Sequence, residues 1–249
     1  MYNFFIDKTN IIGDLVNIDG EHFNHILNVL RMKVNDQFLV SFDQSCHLCQ
    51  IKEIFASSLT AQIIQRDYLD SNLSIDLYLF QGLPKSDKLE LIIQKAVELG
   101  AVEIIPVMTK RCIVKLEDEK KEAKKIERWQ AIAESAAKQS GRGIIPKVSH
   151  VMSYGEALKK ASLEGMSLIP YELAEGMTSL KEAIKKASKE NVVSVFIGPE
   201  GGFEEAEIEK AKECDVVPVS LGKRILRTET AGFTTLSILM YEIECASEE

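Results

Sequence analysis

From residue 75 to its C-terminal end the chain alternates short β-prone runs with helical patterns, and this alternation restricts the fold more than any other feature. The β-prone runs are 75–80, 102–107, 167–170, 192–197 and 216–221. Between the first two, Asp87 is placed to cap a helix, with Glu90 at capping-box spacing. Leu89, Ile92, Ile93, Ala96 and Val97 form an apolar stripe, and Gly100 ends the pattern. A long helix is expected over 117–139, with Ile126, Ile132, Ala133 and Ala136 inward, and shorter ones over 179–187 and 204–214. The last helix, 228–241, is apolar on nearly every side, which places it in the core or in a subunit interface. Strands alternating with helices mean a mostly parallel sheet covered on both faces.

Two glycine-containing loops interrupt this pattern where a strand gives way to a helix. They are Ile197-Gly198-Pro199-Glu200-Gly201-Gly202-Phe203 and Ser220-Leu221-Gly222-Lys223-Arg224-Ile225-Leu226-Arg227-Thr228-Glu229-Thr230-Ala231. Ligands of α/β folds bind beyond the carboxyl ends of the strands, at such loops. Neither loop is a Walker-type or dinucleotide phosphate cradle. The helix after Gly202 opens with Glu204, Glu205 and Glu207, which satisfy the helix dipole themselves and would repel a phosphate. The pattern favours a neutral or cationic ligand held by backbone groups.

Residues 1–72 read differently, as a small β-rich domain, and polar 67–74 marks the boundary with a second domain over 73–249. Runs 38–42, 48–51 and 59–64 are strand-like, and one helix is expected over 20–30, with His22, Ile26, Val29 and Leu30 near one face. Cys46-His47-Leu48-Cys49 lies in strand-like sequence with no second C-x-x-C, so it reads as part of a hairpin rather than as a metal or redox site. Five cysteines, an odd number, do not form a disulfide framework. No apolar run approaches a membrane span, and the first residues lack the basic start and apolar core of a signal peptide, so a cytoplasmic location is expected. A net charge of −8 excludes indiscriminate nucleic-acid binding but not a local basic patch.

Gly198-Pro199-Glu200-Gly201-Gly202, followed by Leu221-Gly222-x-x-Ile225-Leu226-Arg227-Thr228-Glu229-Thr230-Ala231, resembles the SPOUT methyltransferases. More closely it resembles their ribosomal RNA small subunit methyltransferase E family. His25-Ile26-Leu27-Asn28-Val29-Leu30-Arg31-Met32 is similar to the segment that opens that family's PUA-like RNA-binding domain. Gln94-Lys95-x-x-Glu98-Leu99-Gly100, Arg111-Cys112, Glu134-Ser135-Ala136-x-x-Gln139-Ser140-Gly141-Arg142 and Pro146 extend the likeness over nearly the whole chain. Two departures stand out. Asn3 precedes Phe4 and Phe5 where family members usually carry Arg, and Asn35-Asp36 stands for a Gly-Asp turn. Asn tolerates positive φ, so that turn is expected to survive.

The resemblance implies a trefoil-knotted C-terminal domain with a mostly parallel sheet, preceded by a small PUA-like β-barrel, and a homodimer formed through the C-terminal domain. It implies S-adenosylmethionine as cofactor, no metal, and methylation of N3 of a uridine in 16S rRNA of the small ribosomal subunit. Pro170, Tyr171, Glu172, Ile197, Gly198, Pro199, Glu200, Gly201, Gly202, Ser220, Leu221, Gly222, Ile225, Leu226 and Thr228 would line the cofactor pocket. Arg227 is the candidate for aligning uracil or stabilising its developing anion. Glu229 and Glu200 are candidates for the base, with ionisation into solvent as the alternative. Arg31, Lys33, Arg111 and Arg142 are candidate RNA contacts, Arg142 in a Gly-flanked loop. Thr228 and Glu229 also suit a plain capped helix start. Ribose 2′-hydroxyl methylation, RNA binding without catalysis and a dinucleotide oxidoreductase are the competing readings. Intact 198–202 and 221–230 speak against the second of these, and the missing dinucleotide fingerprint with the acidic helix start against the third.

Overall fold

The structure, a computed structural model, describes residues 1–114, 118–163, 165–172 and 180–247. It divides into two compact units, 1–72 with 137–145, and 73–136 with 146–249.

The first unit holds β1 (Asn3–Phe5), β2 (Ile11–Ile12), β3 (Leu15–Asp19), α1 (Gly20–Asn24), β4 (Gln37–Phe42), β5 (Ser45–Ile54) and β6 (Ser58–Leu69). They form one sheet in the order β1-β4-β5-β6-β3-β2, with β1 parallel to β4 and the remaining neighbours antiparallel. Phe4 from one end strand and Ile11 from the other pack on the same core of Phe38, Val40, Ile51, Leu59 and Ala61, so the sheet curls around it. Leu59, Ala61 and Ile63 alternate inward along β6, the two-residue period of a half-buried strand. Cys46 and Cys49 lie within β5, buried and unpaired by disulfide. The helix expected over 20–30 is α1 followed by a π-helical turn, His25–Val29. That wider turn rotates the apolar face: Phe23 and Ile26 are buried, whereas Val29 is 68% exposed. Asn35 has φ 75°, as the turn requires.

The second unit holds β7 (Asp76–Gly82), α2 (Lys88–Glu98), β8 (Glu103–Met108), most of α3 (Glu119–Ser140), β9 (Lys147–Val148), β10 (Met152–Ser153), α4 (Tyr154–Ala161), β11 (Met166–Pro170), α5 (Leu180–Ala187), β12 (Val192–Ile197), α6 (Glu205–Glu213), β13 (Val216–Val219) and α7 (Thr228–Ser247). The sheet order is β10-β8-β7-β12-β11-β13, with β9 also on β8. All its ladders among the described residues are parallel. Tyr78, Phe80, Ile105 and Phe196 face a core closed by Tyr154, Leu158 and Ile208 from α4 and α6. α2 and α5 pack with α7, which also meets β12. Phe80 and Phe196 stack at 4.5 Å across β7 and β12.

Local signals explain several ends. Gly100 takes φ 98° and stops α2. The capping box expected at Asp87 does not form: Asp87 makes no side-chain cap, and Glu90 instead accepts a hydrogen bond from Arg128 at 2.8 Å. α4 was not expected, although Ser153 and Glu156 form a complete capping box at its start. In α3, Trp129, Ala133, Ala136 and Ala137 are buried, whereas Ile126 and Ile132 are only half-buried. Residues 117 and 179, the expected first residues of two helices, lie outside the described residues.

Candidate active site

Three loops meet at the carboxyl edge of the second sheet. They follow β11 (170–172), β12 (197–203) and β13 (220–227), and adjacency in the order β12-β11-β13 brings them side by side. They enclose a cavity of about 390 Å³. Its lining includes all the residues expected at a cofactor pocket: Pro170, Tyr171, Glu172, Ile197, Gly198, Pro199, Glu200, Gly201, Gly202, Ser220, Leu221, Gly222, Ile225, Leu226 and Thr228. Arg227 lines it as well and is exposed to solvent. The sequence reading missed Lys88, Phe203, Arg224 and Ala231. Lys88 opens α2 directly after 83–87, a fourth strand-to-helix loop at the same edge.

The glycine loop is tight for steric reasons. A Cβ on Gly198 would lie 3.0 Å from the Gly202 backbone. Gly202 has φ 66° and donates its N–H to the Pro199 carbonyl at 2.9 Å, closing the turn. A side chain at 198 therefore distorts the loop before it enters the cavity. Arg111 donates from Nη1 to the Gly201 carbonyl at 2.7 Å, bracing the loop from outside. The α6 start is acidic as expected: Glu204 and Glu207 form a capping box, and Glu207 also accepts from the Lys110 N–H.

Charge at the rim is organised around Lys88. Its ammonium lies 3.1 Å from Glu200 and 3.6 Å from Glu229. Glu200 also accepts the Lys85 N–H at 3.1 Å. Burial pushes the Glu200 carboxyl up, but the backbone N–H groups of Glu200 and Lys85 and the Lys88 ammonium outweigh it and hold it below the usual carboxylate range. Glu229 is not part of the cavity lining, and its Oε2 is buried without a hydrogen bond. Thr228 does not act as a simple cap: α7 starts at this residue, and its hydroxyl donates to the Gly198 carbonyl at 2.6 Å.

The remaining candidates lie apart. Arg31 and Lys33 are exposed on the first unit, Arg31 with φ 54° after the π turn. Arg142 is the clear correction. It is only 2% exposed, and its carbonyl accepts from Asn3 Nδ2 and Ser41 Oγ, so its side chain is not available to RNA. Burial pulls its guanidinium down to about 10, still charged at neutral pH. Asn3, in the place of the family's usual Arg, is a buried structural residue.

A curled N-terminal sheet followed by a parallel sheet with a glycine-loop cavity at its carboxyl edge is the arrangement of a SPOUT-type RNA methyltransferase carrying a PUA-like domain. Sequence families agree: residues 71–240 match the RNA methyltransferase domain family and residues 18–64 the RNA methyltransferase PUA domain family. Ribosomal RNA small subunit methyltransferase E of Bacillus subtilis is 40% identical, over 98% of each chain. Its counterpart from Mesomycoplasma hyopneumoniae is 32% identical, over 95% of this chain and 98% of its own. The crystal structure of the Neisseria gonorrhoeae enzyme of that name, bound to S-adenosyl methionine, superposes with a TM-score of 0.82 at 31% identity, over 97% of each chain. The chain belongs to the ribosomal RNA small subunit methyltransferase E family.

Proposed function

We propose that this protein uses S-adenosylmethionine to methylate N3 of a uridine in 16S rRNA of the small ribosomal subunit, in the cytoplasm. The observation that carries the reading is the convergence of the β11, β12 and β13 loops on one cavity, with an exposed arginine, Arg227, among its lining residues. The cavity suits the cofactor. Ile197, Pro199, Leu221, Ile225 and Leu226 give it apolar surface for a nucleoside, and the ionised Glu200 among its lining residues favours a cation. The cofactor supplies an electrophilic methyl group on a sulfonium.

The protein's own work is alignment and charge. Holding the acceptor ring against the methyl group makes the reaction effectively intramolecular. The role of Arg227 in this reading is to face a uracil oxygen and stabilise the anion that forms as N3 loses its proton, supported by its exposure among the lining residues. Of the two candidate bases, Glu200 lines the cavity, but the Lys85 N–H and Lys88 already occupy its carboxylate. Glu229 pairs with the same ammonium through Oε2 and is not among the lining residues, so loss of the N3 proton to solvent is favoured over either carboxylate. Arg31, Lys33 and Arg111, all exposed, serve as phosphate contacts. We assign homodimerisation to the C-terminal domain, supported by the large Tyr241 side chain standing 66% exposed on α7. The trefoil knot belongs to the same reading, supported by β12 inserting between β7 and β11 and by 220–228 returning onto Gly198.

Calorimetric titration with S-adenosylhomocysteine, with NAD as control, tests the pocket. Micromolar binding of the thioether alone is expected. Small subunits from cells lacking the protein, treated with protein and cofactor, should then gain N3-methyluridine. Methyl groups found on ribose hydroxyls instead would overturn the assignment of the target atom.

A further inference from the structure

Gln81, the penultimate residue of β7, is fully buried in a strand otherwise apolar at its inward positions. Its Nε2 donates to the Thr228 hydroxyl at 2.9 Å and to the Gly82 carbonyl at 2.9 Å, and lies 3.5 Å from the Gly198 carbonyl. The Thr228 hydroxyl donates onward to Gly198 O at 2.6 Å. The direction of this chain is fixed. With its one proton given to Gly198, Thr228 can only accept from Gln81, and the other neighbours of that amide end are carbonyls, so it must be the NH₂. One side chain thus joins the end of β7, the glycine loop after β12 and the first residue of α7.

We propose that Gln81 is a positioning residue for the methyl-transfer site: it holds the Gly198 carbonyl and Thr228 in register, and through Thr228 it sets the place of the adjacent Arg227. Two consequences follow from the geometry. The Gly198 carbonyl already faces two donors from the protein, so recognition of a ligand at this end of the loop falls to other groups. The glycine loop and Arg227 also do not move independently, because both are tied to the same amide. The inference rests on the cavity being the cofactor site.

The test uses the full-length protein and a double-mutant cycle on Gln81→Met and Thr228→Val, with Thr228→Ser as the conservative partner. S-adenosylhomocysteine affinity, kcat and KM are measured for each, with circular dichroism melting to establish that each is folded. Gln81→Met should lower thioether affinity and kcat by about tenfold or more, the loss of a buried hydrogen-bonded link. The double variant should lose scarcely more than either single change, because both break one chain. Thr228→Ser, which keeps the hydroxyl, should recover most of what Thr228→Val loses. Normal affinity and turnover in folded Gln81→Met, or fully additive losses in the double variant, overturns the proposal. Should Gln81→Met fail to fold, Thr228→Val against Thr228→Ser decides alone: equal activity of the two refutes it. If the unmodified protein binds no thioether, the cofactor assignment itself falls, and this inference with it.

Discussion

Arg227 and His47 show how single residues carry opposite kinds of consequence. Arg227 is exposed among the residues lining the cavity, and among the described residues none accepts a hydrogen bond from its side chain. Arg227→Ala should therefore leave thioether affinity near normal and lower turnover by about 100-fold or more, the usual loss when one contact to developing charge is removed. Single-turnover methylation of small subunits checks this; near-normal turnover would refute the role. His47 belongs to the first unit and is not among the residues lining the cavity. It is 3% exposed, stacks on Phe42 at 3.9 Å, and accepts the Asp67 N–H on Nδ1 at 3.1 Å. Burial lowers its pKa from the ordinary 6.5, against the opposing pull of the Phe42 backbone and Asp67. In the unfolded chain the ring binds a proton more readily. Its contribution to stability is thus complete above pH 6.5 and is lost as pH falls from there toward the folded value. His47→Asn, which keeps an acceptor near Nδ1, should flatten the pH dependence of urea midpoints in that window. An unchanged slope would mean that the ring does not titrate between the two states.

At the scale of elements, the close seating of β7 against the glycine loop after β12 is the most exacting feature. A Cβ on Gly82 would fall 2.6 Å from Pro199 Cδ and 2.7 Å from Pro199 N, both parts of a rigid ring. Gly82→Ala should cost about 1–3 kcal/mol by overpacking and weaken thioether binding at the same time. Gly201→Ala, whose Cβ meets only the movable Arg111 side chain at 3.1 Å, should be much milder. Denaturant unfolding and calorimetry on both variants check the contrast, and equal effects would contradict it. Legibility in the sequence divides along the same line. Long apolar runs gave away β7, β8, β11, β12 and β13, because parallel strands are buried on both faces. The glycine loops were legible because backbone crowding forbids side chains there. β1, β2 and β3 were missed, being short and broken by Asp7, Gly13 and Asp14. α4 carried its capping box in Ser153 and Glu156 and could have been found. Asp87 and Glu90 matched the same spacing yet formed no box, since Arg128 offered Glu90 a charged partner that no local pattern reveals. Gln81 was readable only as a polar residue out of place in an apolar strand. Lys88 required knowing that α2 starts beside β12's loop.

For the whole molecule the difficulty is charge. A protein with net charge −8 and pI near 5.2 is repelled by an RNA surface at long range, so binding must rest on a few local cations. The exposed Arg31 and Lys33 belong to the first unit, within 18–64, the residues that match the RNA methyltransferase PUA domain family. Asp36, whose carboxylate accepts the Lys33 N–H at 2.7 Å, shapes that turn without neutralising either side chain by a short ion pair. If these two residues meet phosphates, each releases about one counterion from the RNA on binding, and each removal lowers the salt slope of affinity by roughly 0.7–0.9. Arg31→Ala and Lys33→Ala should thus weaken binding to 16S rRNA fragments evenly across sequences, with thioether affinity untouched, since neither lines the cavity. Arg142→Ala should behave differently. Its side chain is buried, so the variant should lose stability while the salt slope of whatever folded protein remains stays constant. Filter-binding titrations from low to moderate salt, run beside melting curves, separate the two kinds of loss. A slope that falls for Arg142→Ala but not for Arg31→Ala or Lys33→Ala would reverse the division between surface and interior cations.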